Sequence, residues 1–188
     1  MRVYVIRHGE SETNRAHRWT GWLDAELTEK GKEDAKRAGE LLRDKCLDRV
    51  LASDRKRAME TAKLALGTSQ CETSPLFREI HVGSLENQPI SSLSAEQKER
   101  LGLFGYSDYN GESREEFNRR VRSGIQLLEG LSCDSAAVFT HAGWMRAMLD
   151  AVLEIDVPRK HLCCNNCTVG IFDYQDGIWR LHSWINLS

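Results

Sequence analysis

Three short runs of β-branched, aromatic and small apolar residues along this chain are each followed by a helical pattern. The runs RVYVI, RVLAS and SAAVFTH begin at residues 2, 49 and 135. Continuous apolar runs of this length are typical of strands buried on both faces of a parallel sheet. Parallel neighbours need a crossover connection, which the intervening helices supply. The alternation therefore predicts an α/β fold, a three-layer α/β/α sandwich with a mostly parallel central sheet.

Two regions depart from this alternation. The segments TVGIFDY and IWRLHSWI flank Asp176 and Gly177, a dipeptide typical of a tight hairpin turn, so we expect an antiparallel C-terminal hairpin at the sheet edge. Residues 84–112 combine Pro, Ser, Gly and scattered aromatics with weak periodicity, and we interpret them as a small helical or loop lid. No repeat or linker divides the chain, which predicts a single domain over residues 1–188.

Charge and hydropathy restrict the class of partner. The 26 Lys and Arg residues nearly balance 28 Asp and Glu residues, giving a net charge of -2. This balance argues against a nucleic acid or an anionic membrane as a partner recognised by bulk charge. The sequence also has no apolar run long enough to span a bilayer and no signal-peptide pattern. We therefore expect a cytoplasmic protein in which any anion binding is local.

The six cysteines offer one alternative chemistry. Cys163, Cys164 and Cys167 lie close to His161 in HLCCNNC, a set of soft metal ligands. The pair-plus-pair spacing of a zinc ribbon is absent, however, and a β-run begins immediately afterwards. We favour small, reduced thiols packed in the interior, and we expect neither a metal ion nor an organic cofactor.

Reactive polar residues follow the predicted parallel strands at their carboxyl ends. Arg7 and His8 follow the first strand, Arg55 and Arg57 follow the second, and His141 follows the third. Ligands of open α/β sheets bind at this edge, so we expect these side chains to meet. A single histidine at a strand end is more often structural than catalytic. Two histidines at matching strand ends favour a functional site.

This combination of side chains suits a phosphoryl group. Guanidinium groups bind phosphoryl oxygens in forked geometry, and a helix that begins near Gly143 can offer backbone N–H groups to an anion. One neutral histidine can attack phosphorus while a second, protonated histidine stabilises charge on the equatorial oxygens. The pattern predicts a phosphate pocket that needs a further acid for the leaving oxygen.

The motifs RHGE, LTEKG, SDRKRAMETA, REIHVG and THAG occur in this order. The ordered set resembles the histidine phosphatase superfamily, also called the phosphoglycerate mutase-like family, over nearly the whole chain. The resemblance implies that His8 is the nucleophile that becomes phosphohistidine. It also implies that Arg7, Arg57 and His141 hold the phosphoryl group. Glu79, in REIHVG, would protonate the leaving group and later activate water.

Further roles follow from the same match. We expect contacts with phosphate or substrate from Asn14, Thr20, Gly21, Ala142 and Gly143. Trp19 and Trp22 could stack on a substrate or pack in the core, and His81 is either a pocket residue or a surface histidine. We expect structural rather than catalytic roles for Arg55, Glu10 and Glu12.

A mutase must keep phosphohistidine from water until the phosphoryl group returns to a bound acceptor, whereas a phosphatase must admit water. The length of the lid is therefore informative. The sugar-phosphate mutases of this family carry a longer insertion between the acid and the second histidine, whereas here 61 residues separate Glu79 from His141. NGESREEFNRRV also resembles short phosphatases such as α-ribazole phosphatases and broad-specificity phosphatases. TGWLDAELTEKG and the Glu-x-His-x-Gly spacing are closer to the mutases, and LEN stands where Trp-Glu-Gly is common.

We favour a phosphomonoester hydrolase that acts on a small phosphorylated metabolite. Three alternatives stay open. The first is a cofactor-dependent phosphoglycerate mutase, and the second is a module that binds phosphorylated ligands without turnover. The third is a metal-dependent hydrolase built on His8, His81 and His141, whose spacing does not match the paired His-x-x-x-His of such sites.

Overall fold

A computed structural model of the protein describes residues 1–158 and 161–187. Its centre is one sheet of six strands: β1 (Arg2–Arg7), β2 (Arg49–Ala52), β3 (Glu72–Thr73), β4 (Ser135–Thr140), β5 (Val169–Gln175) and β6 (Ile178–Ile185). The strand order is β3-β2-β4-β1-β5-β6. The first four strands in this order run parallel to their neighbours, and β5 and β6 are antiparallel. The predicted C-terminal hairpin at the sheet edge is therefore confirmed.

Within the residues that the structure describes, six α-helices connect and cover the strands: α1 (Glu12–Arg15), α2 (Glu29–Leu42), α3 (Lys56–Leu66), α4 (Ala95–Phe104), α5 (Arg114–Glu129) and α6 (Ala142–Leu153). Single 3-10 turns lie at Pro75–Phe77, Gly83–Leu85, Ile90–Ser92 and Ser107–Tyr109. No helix within residues 1–158 and 161–187 is long and apolar enough to cross a membrane.

The position of β1 in the sheet explains why its residues 3–6 are apolar or aromatic. Val3 and Val5 belong to a core cluster shared with α5 and α6, whereas Tyr4 and Ile6 belong to a second cluster shared with α2 and α3. All four side chains are buried, because helices pack on both faces of the sheet. The fold is thus the predicted three-layer α/β/α sandwich.

The segment 84–112 belongs to the same core as α5 and α6. Its residues Leu85, Leu93, Leu101 and Tyr106 are buried in that cluster. The segment contains α4, which agrees with the helical alternative of the predicted helical or loop lid. Its action as a lid stays a prediction.

Candidate active site

The carboxyl ends of β1, β2 and β4 bring the two histidines together. In the parallel pairing of β1 with β4, Arg7 lies opposite Thr140, so the residues that follow them are neighbours. The backbone N–H of His8 donates to the carbonyl of Thr140 at 2.9 Å. The rings of His8 and His141 lie 5.1 Å apart between centroids, at 63° to each other.

The surroundings of His8 fix its tautomer. Its Nδ1 lies 2.7 Å from the carbonyl oxygen of Gly9, which can only accept, so Nδ1 carries the proton. Its Nε2 accepts from Nε of Arg57 at 3.2 Å. Burial, followed by the charges of Arg57 and Arg7, holds the pKa of His8 well below its ordinary value. His8 is therefore a neutral imidazole with a lone pair on Nε2.

The guanidinium of Arg57, at the start of α3, lies between the two histidines. Besides His8, it donates from Nη2 to Nδ1 of His141 at 3.0 Å and to the carbonyl of Gly21 at 2.9 Å. Its Nη1 donates to the carbonyl of Leu23 at 2.8 Å. The side chain is only 1% exposed, and burial lowers the pKa of Arg57 to about 10. Arg57 remains charged at neutral pH and is held in one orientation.

His141 is also neutral among its present neighbours. Because Arg57 can only donate to Nδ1, the proton of the neutral ring lies on Nε2, which donates to Oγ of Ser53 at 2.9 Å. Burial, followed by the charge of Arg57, holds the pKa of His141 well below its usual range. This differs from the protonated second histidine that the sequence suggested, and protonation would require a negative group nearby.

Arg7 ends β1 with part of its guanidinium unsatisfied. Its Nη1 donates to the carbonyl of Cys164 at 2.6 Å. Its Nε is buried and has no hydrogen-bond partner among the residues that the structure describes. A buried N–H without an acceptor is unfavourable, and an anion at this edge of the sheet would satisfy it.

Glu79 reaches the same site from the connection between two 3-10 turns. Its Oε2 accepts from the backbone N–H of Gly143 and its Oε1 from that of Ile80, both at 2.9 Å. Its own carbonyl accepts from Nε1 of Trp22 at 2.8 Å and from Nη2 of Arg120 at 2.9 Å. The N–H of Gly143 therefore serves the carboxylate, not an open anion site as the sequence suggested.

The remaining predicted contact residues lie around this centre. Asn14, in α1, accepts at Oδ1 from Ser11 N and from Nδ2 of Asn166, each at 3.2 Å. The hydroxyls of Thr20 and Thr13 are 2.7 Å apart. Two of the remaining predictions have backbone roles: Gly21 supplies a carbonyl to Arg57, and Ala142 begins α6.

Three charged residues that we expected to be structural have local partners. Arg55 donates to the carbonyl of Trp22 at 2.9 Å and contacts Asp54. Glu10 accepts from the hydroxyl of Thr28 at 2.8 Å, and Glu12 pairs with Arg15 at 2.5 Å. Through Thr28, which caps α2 and contacts Glu10, the LTEKG motif packs against the RHGE motif.

The two tryptophans and His81 pack within the protein. The ring centroids of Trp19 and Tyr106 lie 5.8 Å apart in an edge-to-face arrangement. Trp19 thus packs against the core, which was one of its two predicted roles. The ring centroids of Trp22 and His81 lie 4.5 Å apart. The guanidinium of Arg78 lies 4.6 Å from the centroid of the Trp22 ring. Trp22 therefore belongs to a stack beside Glu79.

Three further residues near the centre were not predicted as site residues: Ser53, Asn166 and Arg120. Ser53 directly follows β2, among the polar residues expected at this edge, but a lone serine indicates no particular role. Asn166 lies within HLCCNNC, a segment whose cysteines and His161 suggest metal ligands and whose asparagines carry no such signal. Cys164 and Cys167 are buried and Cys163 is exposed. Within the described ranges, no group of three or more His, Cys, Asp or Glu residues could hold a metal ion.

Comparisons of this chain with a family model and with known proteins point to the same family. The family model of the histidine phosphatase superfamily (branch 1) matches residues 3–187. The chain is 30% identical to a protein of Erwinia tasmaniensis named "Probable phosphoglycerate mutase GpmB", over 98% of this chain and 90% of that one.

Two solved structures extend the comparison. A phosphoglycerate mutase from Thermus thermophilus is 33% identical with a TM-score of 0.77, covering 100% of both chains. A candidate α-ribazole-5′-P phosphatase from Escherichia coli is 25% identical with a TM-score of 0.85, covering 99% of this chain and 97% of that one. This chain belongs to the histidine phosphatase superfamily (branch 1).

Proposed function

We propose that this protein is a phosphomonoester hydrolase that forms a phosphohistidine at His8 and acts on a small phosphorylated metabolite. The observation that carries the proposal is the environment of His8. Its Nδ1 proton is held by the carbonyl of Gly9, and the Nε2 lone pair faces the guanidinium of Arg57. A neutral, oriented imidazole beside a fixed cation is what attack on an anionic phosphate requires.

In the first step, Nε2 of His8 forms a bond to phosphorus while the bond from phosphorus to the leaving oxygen breaks. Glu79, in its acid form, gives its proton to that oxygen, and the alcohol departs. Arg57 and Arg7 stabilise the charge on the phosphoryl oxygens. The approaching dianion also favours protonation of His141, since a neighbouring opposite charge raises the pKa of a histidine.

In the second step, the carboxylate of Glu79 takes a proton from water, and the water oxygen bonds to phosphorus. The bond between phosphorus and Nε2 breaks, which releases inorganic phosphate and restores neutral His8. The backbone N–H of Gly143 holds the carboxylate of Glu79 at the N-terminus of α6, which supports its role as the base of this second step.

A mutase is the second candidate, and a specific observation favours it. The relative from Erwinia tasmaniensis bears the name of a probable phosphoglycerate mutase, and the similarity covers nearly the whole chain. A mutase would return the phosphoryl group from His8 to a bound acceptor instead of water. A module that binds phosphorylated ligands without turnover would need no acid, and Glu79 argues against it.

The decisive experiment measures phosphate release and isomerisation in parallel, without added metal. The substrates are p-nitrophenyl phosphate, 3-phosphoglycerate, sugar phosphates, nucleotides and α-ribazole 5′-phosphate, with a mutase assay primed by 2,3-bisphosphoglycerate. We expect fast phosphate release from at least one substrate, lost in His8→Ala and retained in His182→Ala, whose histidine is exposed in β6. Isomerisation with little phosphate release would establish the mutase instead.

A further inference from the structure

The HLCCNNC segment lies against the turn that carries the proposed nucleophile. The backbone N–H of Arg7 donates to the carbonyl of Thr168 at 3.0 Å, and its Nη1 donates to the carbonyl of Cys164. The backbone N–H of Cys167 donates to the carbonyl of His8 at 3.3 Å. The segment that suggested a metal site thus braces Arg7 and His8 through its backbone.

The side chain of Asn166 connects this segment to two residues of the site. Its Nδ2 donates to the carbonyl of His8 at 3.1 Å and to Oδ1 of Asn14 at 3.2 Å. The carbonyl of His8 can only accept, so it is the NH2 group of Asn166 that faces it. The same NH2 group must then meet the oxygen of the Asn14 amide.

A second donor fixes the Asn14 amide in the same orientation. The backbone N–H of Ser11 can only donate, and it lies 3.2 Å from Oδ1 of Asn14. Both donors therefore meet Oδ1, and the NH2 group of Asn14, on the other branch of the planar amide, faces away from them. Phosphoryl oxygens accept hydrogen bonds, so an asparagine can hold a phosphoryl group only with this NH2 group.

We propose that Asn166 is a positioning residue that orients Asn14 so that its NH2 group binds the phosphoryl group. The inference rests on the proposed function and on the contact between Asn14 and phosphate that the family resemblance implies. Asn166 itself does not touch the substrate. Its contribution to anion affinity is exerted through Asn14.

The test compares Asn166→Asp with Asn166→Ala by calorimetric titration with orthovanadate and inorganic phosphate, which requires no turnover. Aspartate keeps the shape but places acceptors against the carbonyl of His8 and Oδ1 of Asn14, so the Asn14 amide must turn or withdraw. We expect the dissociation constant of vanadate to rise about tenfold or more for Asn166→Asp and about threefold for Asn166→Ala. If Asn166 only filled space, alanine would weaken binding at least as much as aspartate, and this order would overturn the proposal.

Asn186 provides a matched control for the added charge. Its Oδ1 accepts from the N–H of Asn165 at 3.1 Å and from the hydroxyl of Thr168 at 2.6 Å. Asn186 directly follows β6 and contacts the segment that carries Asn166. Asn186→Asp keeps this acceptor, loses the donation from Nδ2 to the carbonyl of Cys163 at 3.4 Å, and adds the same charge. We expect its vanadate affinity to equal that of the wild type within about twofold, as surface substitutions usually do. An equal loss in Asn186→Asp and Asn166→Asp would overturn the proposal.

A double-mutant cycle tests whether Asn166 acts through Asn14. Asn14→Ala and Asn14→Ala/Asn166→Ala should bind vanadate with the same affinity, because the second change has nothing left to orient. Losses that multiply would show that the two residues act independently and would overturn the proposal.

A measurement on the wild type keeps the proposal testable if Asn166→Asp does not fold. The side-chain 15N amide signals of Asn14, assigned by their loss in Asn14→Ala, should shift when vanadate is added, and less so in Asn166→Ala. Unmoved signals would overturn the proposal. A wild type that binds vanadate but hydrolyses no phosphomonoester would overturn the hydrolase alone, and the Asn166 comparison would still decide this inference.

Discussion

Gly9 gives His8 its chemical character through a single carbonyl group. A histidine at a strand end has two nitrogens that could react, and the bond from Nδ1 to the Gly9 carbonyl leaves only Nε2 with a lone pair. Arg57 contacts that same nitrogen and, after burial, is the largest influence that keeps the pKa of His8 low. The reactivity we propose is therefore a property of three neighbouring residues, not of the histidine alone.

Gly143→Ala tests the position of the proposed acid at the residue scale. A Cβ atom at Gly143 would stand 2.0 Å from Oε1 of Glu79, so the carboxylate must move. Displacing a catalytic group by about 1 Å can slow a reaction about a hundredfold. We expect that loss with alkyl phosphates, which need a proton on the leaving oxygen, and a smaller loss with p-nitrophenyl phosphate.

Gly102→Ala is the control for this change, because a Cβ atom at Gly102 would meet nothing within 4 Å. Its rates should match those of the wild type with both substrates. An equal loss with both leaving groups in Gly143→Ala would contradict the acid role of Glu79.

The residue types at the centre could be predicted, whereas their hydrogen bonds could not. Arg7, His8 and His141 are visible because strands place them at one edge of a parallel sheet. The bond from His141 to Ser53 and the bond from Gly143 to Glu79 depend on side-chain angles and a loop path that no local pattern encodes.

At the scale of the element, residues 21–23 connect Arg57 of the proposed phosphate pocket to Glu79, the proposed acid. The carbonyls of Gly21 and Leu23 both accept from Arg57, and the indole of Trp22 between them donates to the carbonyl of Glu79. One short tripeptide therefore fixes the guanidinium and the acid relative to each other. The left-handed backbone at Gly21, with φ of +50°, makes this turn favourable for glycine.

Trp22→Phe should weaken this coupling while keeping an aromatic ring in the stack. Losing one neutral hydrogen bond changes an energy by about 0.5–1.5 kcal/mol, so we expect a fall of about two- to tenfold in kcat for poor leaving groups. Trp179→Phe, which loses a comparable bond of 2.9 Å from β6 to Glu129, should leave kcat unchanged. Equal effects of the two variants would contradict a specific link between Trp22 and Glu79.

Strands and helices could be predicted from the sequence where burial leaves a recognisable pattern of apolar residues. The strands β1, β2 and β4 follow from runs that must be buried on both faces. The position of helix α4 within the predicted helical or loop lid could not be predicted, because Leu101 is its one buried residue and no apolar stripe exists. Its capping box of Ser94 and Gln97 was nevertheless present in the sequence as a start signal.

The two buried histidines link the stability of the whole molecule to pH. The pKa values of His8 and His141 lie well below the unfolded value of 6.5, so below this pH the unfolded chain binds protons that the folded chain does not. Stability is therefore independent of these groups above pH 6.5 and falls as the pH is lowered towards their folded-state pKa values. Each histidine contributes a slope of up to about 1.4 kcal/mol per pH unit.

Urea denaturation between about pH 7.5 and pH 5.5 measures this slope. We expect the free energy of unfolding to fall below pH 6.5, with a smaller slope in His8→Gln and an unchanged slope in His182→Gln. Stability that does not vary with pH in this window would contradict neutral, buried histidines.

The measurement that tests the central claim most directly is rapid acid-free quenching of the enzyme during turnover, followed by mass spectrometry of its peptides. The account predicts one phosphoryl group, labile in acid, on the peptide that contains His8, and none in His8→Ala. Phosphate release by the wild type without any phosphorylated histidine, or with the phosphoryl group on another residue, would contradict it.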